Sequence, residues 1–247
     1  MPQKGMVIKM NISAKTLDFK ELNEEIRAAK QDVVINDCCG HRFICSGVSC
    51  GNITINGTPG NALGSYLKDG VITVNGNVQD AVGDTMNGGT IAIHGNAGDA
   101  LGYSMRGGKI FVKGDVGYRA GIHIKEYEHK RPVIVIGGKA GSFLGEYLAG
   151  GLIIVLGLGS EKTPVGGFTG TGMHGGSIFI RTTEEPPNLP KQVTSTIAEK
   201  DNLEEIREYI TEFAEYFGGN ADAIINDNFY MLKPNAKNPY KQLYTMN

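Results

Sequence analysis

Between residues 51 and 181 apolar and polar positions alternate in short bursts, and glycine closes each burst. Seven units open at Gly51, Gly70, Gly89, Gly108, Pro132, Gly151 and Gly176. Their third and fifth positions are Ile53/Ile55, Ile72/Val74, Ile91/Ile93, Ile110/Val112, Ile134/Ile136, Ile153/Val155 and Ile178/Ile180. β-Branched residues two apart predict a short strand with one apolar face. Successive openings lie 19 residues apart, with two longer units of 24 and 25. A period near 20 marks a solenoid, in which each unit buries its apolar face only against its neighbours.

Two glycine columns run through the same units. The seventh position holds Gly57, Gly76, Gly95, Gly114, Gly138 and Gly157. The fourteenth holds Gly64, Gly83, Gly102, Gly121 and Gly145, with Gly170 as a shifted counterpart. Each follows a short apolar segment, where the chain has to change direction, and corners favour a residue that tolerates φ > 0. A strand, a corner, a second apolar segment and another corner make one coil. The expected fold is therefore an all-β solenoid, a right-handed parallel β-helix of about seven coils with flanking N- and C-terminal helices. At a stacking distance of about 4.8 Å, seven coils make a rod roughly 30 Å long. A helical solenoid is excluded, because no unit has room for an i, i+3, i+4 stripe.

The flanks read differently. Residues 1–50 are expected to hold a helix over 16–30, with Phe19, Leu22, Ile26 and Ala29 on one face, and an irregular first coil over 33–47. The repeat fills 51–181. Residues 182–247 begin with a Pro-rich linker, TTEEPPNLPKQ, and continue as a helical extension. A helix from about Asn202 to Phe217 carries the stripe Leu203, Ile206, Ile210, Phe213 and Phe217. Asn202 with Glu205 fits a capping box and Gly218-Gly219 a stop. Glu204, Glu208, Glu212 and Glu215 line its other side, read as a solvated face. The tail from Asn226 has no period, and its aromatics predict docking on the rod or on a partner.

Composition narrows the function. Glycine supplies 36 of 247 residues, about double the usual share of roughly 7%. A net charge of −2 gives no pull towards nucleic acid. No apolar run approaches the roughly 20 residues of a membrane span. The N-terminal residues lack a signal-peptide pattern. Four cysteines in a chain this size do not suggest a secreted disulfide scaffold, so reduced thiols and a cytoplasmic location are expected.

Candidate chemistry is sparse. GTGMHG at 170–175 is a literal G-x-G-x-x-G, but a loop precedes it and a strand follows, so coil corners explain it better than a dinucleotide site. His123, Glu126 and His129 are spaced three apart in the extra residues of the 24-residue unit. They are candidates for a metal site or, more simply, for an interface. Cys38, Cys39, Cys45 and Cys50 match no zinc or ferredoxin spacing and read as small buried hydrophobes. The 25-residue unit inserts GSEKTPVGGFT, whose Glu161 and Lys162 are candidates for a partner contact on a protruding loop. Asp80, Asp84, Asp99 and Asp115 fall at turns, where Asp is common for backbone reasons. No catalytic, cofactor-binding or metal-ligating residue is assigned.

The run GNVQDAVGDTMNGGTIAIHGNAGDALGYSMRGG, then GDVGYRAGIHIKEYEHKRPVIVIGGKAGSFLGEYLAGG, then GTGMHGG, resembles the G-x-G-x-G repeat domain of the glutamate synthase large chain in its stand-alone form. One of the subunits of formylmethanofuran dehydrogenase shares the repeat more distantly. The resemblance covers roughly residues 10–181. It implies a right-handed β-helix without catalytic residues, packed between a glutaminase part and a synthase part that carries flavin and an iron–sulfur cluster. This chain would then bind no cofactor, its partners would be glutaminase-type and flavin synthase-type subunits, and end coils could also self-associate. The alternatives are the matching subunit of a molybdenum or tungsten enzyme like formylmethanofuran dehydrogenase, or a free-standing enzyme using the inserted loops. Where the family tends to read G-Q-R-Y-I-G, this chain reads Gly40-His41-Arg42-Phe43-Ile44-Cys45.

Overall fold

The protein is described from a computed structural model covering residues 9–29 and 31–235. It is a β-solenoid of about seven turns with a C-terminal helix pair. In chain order the strands are β1 (Lys9–Ser13), β2 (Asp32–Cys39), β3 (Ser49–Thr58), β4 (Asp69–Asn75), β5 (Asn87–Ile93), β6 (Gly107–Val112), β7 (Val133–Ile136), β8 (Ala149–Val155), β9 (Gly175–Arg181), β10 (Val193–Ile197) and β11 (Phe229–Pro234). The helices are α1 (Phe19–Ala28), α2 (Lys200–Phe217) and α3 (Ala221–Ile225). Strands β1 to β9 pair in parallel, each with the next; β11 then pairs antiparallel with β9, and β10 antiparallel with β11, closing the far end. The parallel ladder therefore starts before the first repeat, with Lys9 of β1 opposite Asp32.

The register stacks identical positions. Met10, Val33, Ile53, Ile72, Ile91, Ile110, Ile134, Ile153 and Ile178 form one column, and Leu232 of β11 extends it from the closing strand. Ile12, Ile35, Ile55, Val74, Ile93, Val112, Ile136, Val155 and Ile180 form the second. Leu63, Val82, Leu101, Ala120 and Leu144 face them across the coil, and all are buried in one core. Leu22 and Ile26 of α1 join it at the N-terminal end. Asp18 caps α1, accepting from the Lys20 and Glu21 amides.

The glycine columns divide into two kinds. Gly64, Gly83, Gly102, Gly121, Gly145 and Gly170 all have φ between 64° and 73°. A Cβ on Gly102 would lie 2.5 Å from Ile134 Cδ1, so strain and packing both demand glycine there. Only Gly57 and Gly157 of the other column are left-handed; Gly76, Gly95, Gly114 and Gly138 are not, against expectation. Their constraint is close approach: a Cβ on Gly138 would strike Asp115 Oδ1 and the Gly114 backbone of the coil before.

The turn carboxylates and amides form ladders. Asn61, Asp80 and Asp99 accept from the backbone N–H of Asp80, Asp99 and Tyr118 at 3.3, 2.9 and 2.8 Å. Asn77, Asn96 and Asp115 accept from Asn96, Asp115 and Lys139 at 2.8, 2.8 and 2.7 Å. These acids satisfy amides at the corners, as turn chemistry requires.

Helix α2 lies along the side of the rod. The outward strand position changes from Thr54 and Thr73 to Ala92, Phe111, Val135, Ile154 and Phe179, and the last four form a second core with Ile206, Ile210 and Phe213. The helix starts one turn fraction earlier than the sequence suggests. Glu199 is its cap, and Asn202 is the reciprocal partner rather than the cap itself. Nor is its polar side wholly solvated: Lys109 pairs with Glu212 at 2.6 Å and Arg131 pairs with Glu205. The linker and tail dock through β10 and β11; residues 236–247 of the tail lie outside the described residues.

Candidate interaction surface

The backbone at the second corner has a feature that glycine content does not reveal. In each coil, three alternate positions are left-handed, and only the middle one is regularly glycine. The flanking positions are Ala62 and Tyr66, Ala81 and Thr85, Ala100 and Ser104, Arg119 and His123, Phe143 and Tyr147, with Phe168 in the last. Because the left-handed residues alternate, the N–H groups of Ala62 and Tyr66 point to the following coil (Asp80 and Asp84 carbonyls) while that of Gly64 points to the preceding one (Ile44 carbonyl). The chain turns and still keeps its ladder bonds.

Left-handed Tyr66 and Phe168 are 53 and 55% exposed, and Tyr103 and Tyr118, each beside a left-handed residue, are 40 and 57% exposed. Within this stretch rings stack: His123 on Tyr147 (centroids 5.0 Å, planes 6° apart) and Phe143 on Phe168 (5.0 Å, 11°). Tyr103 meets His123 edge-on at 5.9 Å. Arg119 lies over the Phe143 ring at 5.2 Å and pairs with Glu146 at 3.0 Å. The result is a ridge of rings held in fixed orientation along one corner of coils that also carry the 24-residue unit.

The sequence candidates separate on this frame. His123 belongs to the ridge. Glu126 instead pairs with Arg131 at 3.5 Å and accepts from the Gly151 amide at 3.0 Å. His129 sits in an exposed turn closed by Tyr127 and Lys130. Among the described residues no group of three or more His, Cys, Asp or Glu side chains converges as a metal site would require. Glu161 and Lys162 line a cleft of about 130 Å³ with Arg181, Thr182 and Asp227, where Arg181 pairs with Asp227 at 2.6 Å. The G-x-G-x-x-G stretch is a corner: Gly170 and Gly172 are left-handed and Met173 is buried.

The cysteines occupy the first coil. Burial pushes the Cys38 thiol up to about 11, while its neighbour His41 accepts from the Cys39 amide at Nδ1 (3.2 Å) and directs Nε2 at the Leu17 carbonyl (3.1 Å). This fixes the ring between the first coil and the approach to α1. Cys45 is buried with φ 59°, in register with the glycine column, since Ile44 is paired through Gly64 to the next coil.

Comparison with known proteins places this geometry. The family model described as GXGXG motif matches residues 13–237. An uncharacterised protein of Methanocaldococcus jannaschii is 41% identical over 249 residues, covering 95% of each chain. Among solved structures, a chain of the formyltransferase/hydrolase complex (FhcABCD) from Methylorubrum extorquens, crystallised with methylofuran, superposes with a TM-score of 0.62 at 19% identity. It covers 92% of this chain and 91% of that one.

Proposed function

Since the chain belongs to the GXGXG motif family, we propose that it is a scaffold subunit without an active site of its own, in a complex of the kind that contains its structural neighbour, handling formyl groups on a furan-type carrier. The observation that carries the reading is the ridge. Left-handed backbone costs a non-glycine residue roughly 1–2 kcal/mol, and a half-exposed ring recovers little of that by burial. The left-handed corner recurs in every coil, so what distinguishes this stretch is the rings it carries there, stacked and left half-exposed. Rigid aromatics with an Arg among them are the anchors that protein interfaces favour. Similarity over nearly the whole of both chains supports the neighbour's type of assembly. On this reading redox cofactors and substrate chemistry belong to the partner subunits.

The glutamate synthase reading remains the second, favoured by the repeat motifs of residues 76–176. One experiment separates them: purification of the tagged chain from its native host, with mass spectrometry of its companions. A formyltransferase-type or molybdopterin-type subunit supports the first reading. A glutaminase and a flavin synthase subunit support the second. A chain that elutes alone, with no loss on mutating the ridge, overturns both.

A further inference from the structure

The two ends of the solenoid are finished differently. At the N-terminal end α1 closes the core with Leu22 and Ile26. At the other end the last strand of the sheet is β10, and among the described residues no strand pairs with its outer edge. Ala198 donates its N–H to the Phe229 carbonyl, and the Gln192 carbonyl accepts from the Asn235 N–H, so the even-numbered residues turn towards β11. In an antiparallel ladder the residues between them point the other way. Ser195 and Ile197 therefore present both N–H and C=O at the open edge. The odd positions on either side are already engaged: Val193 donates to the Pro190 carbonyl, Glu199 donates to Asn202 Oδ1, and the Glu199 carbonyl accepts from Leu203. Ile197 is also 64% exposed, the most open large apolar side chain among the described residues. It stands in register with Tyr230 and, through it, with Ile180, so it continues the second inner column past the last coil. That column ends on a bare isoleucine beside an open strand edge, where a solenoid's last element should be polar and its edge protected.

We propose that a second copy of this chain covers this end, the two β10 strands pairing antiparallel about a two-fold axis at Thr196. The axis sets Ser195 of each copy opposite Ile197 of the other. Each such pair exchanges both of its N–H···O=C bonds, which uses every free group at the edge and no other. The free groups also select the register. An axis at Ser195 would call on the Val193 N–H, and an axis at Ile197 on the Glu199 N–H and carbonyl, and all of these are taken. The contact uses the same patch on both copies, so it closes at two. It keeps the odd-numbered side chains of both strands on one face. There Ile197 lies opposite Ser195 and diagonal to Ile197 of the other copy, so each covers the other's open column. Charge favours the same direction. Lys191 precedes the strand, Glu199 and Asp201 follow it, and all are exposed. Antiparallel order sets Lys191 of each copy beside the acids of the other, whereas parallel order would set like charges together.

The test is sedimentation velocity of the full chain between about 1 and 100 μM, a range that reaches modest affinities. A species of twice the chain mass is expected, and Ile197→Lys should return it to a single chain. That side chain is exposed, so the far-UV circular dichroism of the variant should match the parent's. A cross-link checks the register. In a Cys39→Ser background, which removes the exposed native thiol, Thr196→Cys sets two thiols across the axis. They form a non-hydrogen-bonded pair with Cα atoms about 4.5 Å apart, within disulfide reach. Oxidation should join the copies there, while Thr194→Cys, exposed on the same face, should leave them unlinked. A chain that stays monomeric at the highest concentration overturns the proposal. In that monomer, slow exchange of the Ser195 and Ile197 amides would mean an edge covered from within the chain, and fast exchange an edge left to another protein. A dimer that survives Ile197→Lys, or that cross-links equally at positions 194 and 196, has its contact elsewhere and overturns the proposal too.

Discussion

The rod has two apolar outer faces, and the chain treats them in opposite ways. Along the strands, Phe111, Val135, Ile154 and Phe179 are buried because α2 lies on them. Along the second corner, Tyr66, Tyr103, Tyr118 and Phe168 stay 40 to 57% exposed, although β10, β11, α2 and α3 were available to cover them. The 18-residue α2 lies on the first face through Ile206, Ile210 and Phe213, and among the described residues no helix packs on the exposed rings of the second. Single exposed apolar residues are ordinary, but a run of stacked rings on strained backbone is not. The contrast argues that the covered face belongs to this chain's own stability and the open one to another molecule.

Changes to the shared interior should have the largest effect, because both faces hang from it. Gly102→Val places a β-branched side chain at φ 68°, against Ile134 Cδ1 and Met105 Sδ. Left-handed strain of about 1–2 kcal/mol and overpacking of about 1–3 kcal/mol add to roughly 2–5 kcal/mol. Chemical denaturation should show that loss, and a variant as stable as the parent would remove the basis for the corner column.

The covered face comes next. Phe213 is 1% exposed and its ring lies over Gly137, where a Cβ would come within 2.7 Å of Cζ. Phe213→Ala should cost about 3 kcal/mol, the lower end for a buried ring, because α2 can settle back on the rod. Hydrogen exchange should rise in α2 first and leave β3 to β6 protected. Uniform exchange throughout the rod would mean that α2 is integral to the solenoid rather than laid upon it.

These two sites differ in how far the sequence reveals them. The Ile and Val columns and the left-handed glycines can be read because the same residue recurs every 19 positions, and register does the rest. The covered face leaves a signal too, the change from Thr54 and Thr73 to Phe111 and Val135 at one position, but it emerges only once the third and fifth positions are known to point inward. The helix start is displaced because Glu199 with Asn202 and Asn202 with Glu205 have the same spacing, and tertiary pairing of Glu205 with Arg131 settles which box forms. The ridge leaves no signal. Ala100, Phe143 and Phe168 are not residues that announce φ > 0, and the conformation is imposed by coils above and below. His123 draws notice for its spacing to His129, yet what it touches is Tyr147 in the adjacent coil.

The open face should tolerate what the covered one does not. Phe168→Gly trades left-handed strain of about 1–2 kcal/mol against a ring stack of about 0.5–1.5 kcal/mol, so stability should stay within about 1 kcal/mol of the parent. Capture of partner subunits from the native host should nevertheless fall. A destabilisation comparable to Phe213→Ala would place the ridge with the covered face and end the distinction.

The smallest effect lies where α2 ends. His94 meets Phe217 edge-on at 4.9 Å, and burial there, followed by the charge of Lys113, lowers its pKa below the ordinary 6.5. The fold therefore prefers the neutral imidazole. Its contribution is complete above the unfolded value of 6.5 and is lost as pH falls through that value towards the lower folded one. The protein should lose thermal stability on acidification from about pH 8 to about pH 5, beyond what its carboxylates cause, and His94→Gln should flatten part of that slope. The group is only partly buried, so the change should be a shallow one. Its location is informative: exchange near Phe217 should rise on acidification in the parent and rise less in His94→Gln, because His94 is the histidine that ring touches. An equal rise in both proteins would detach the acid loss from this contact.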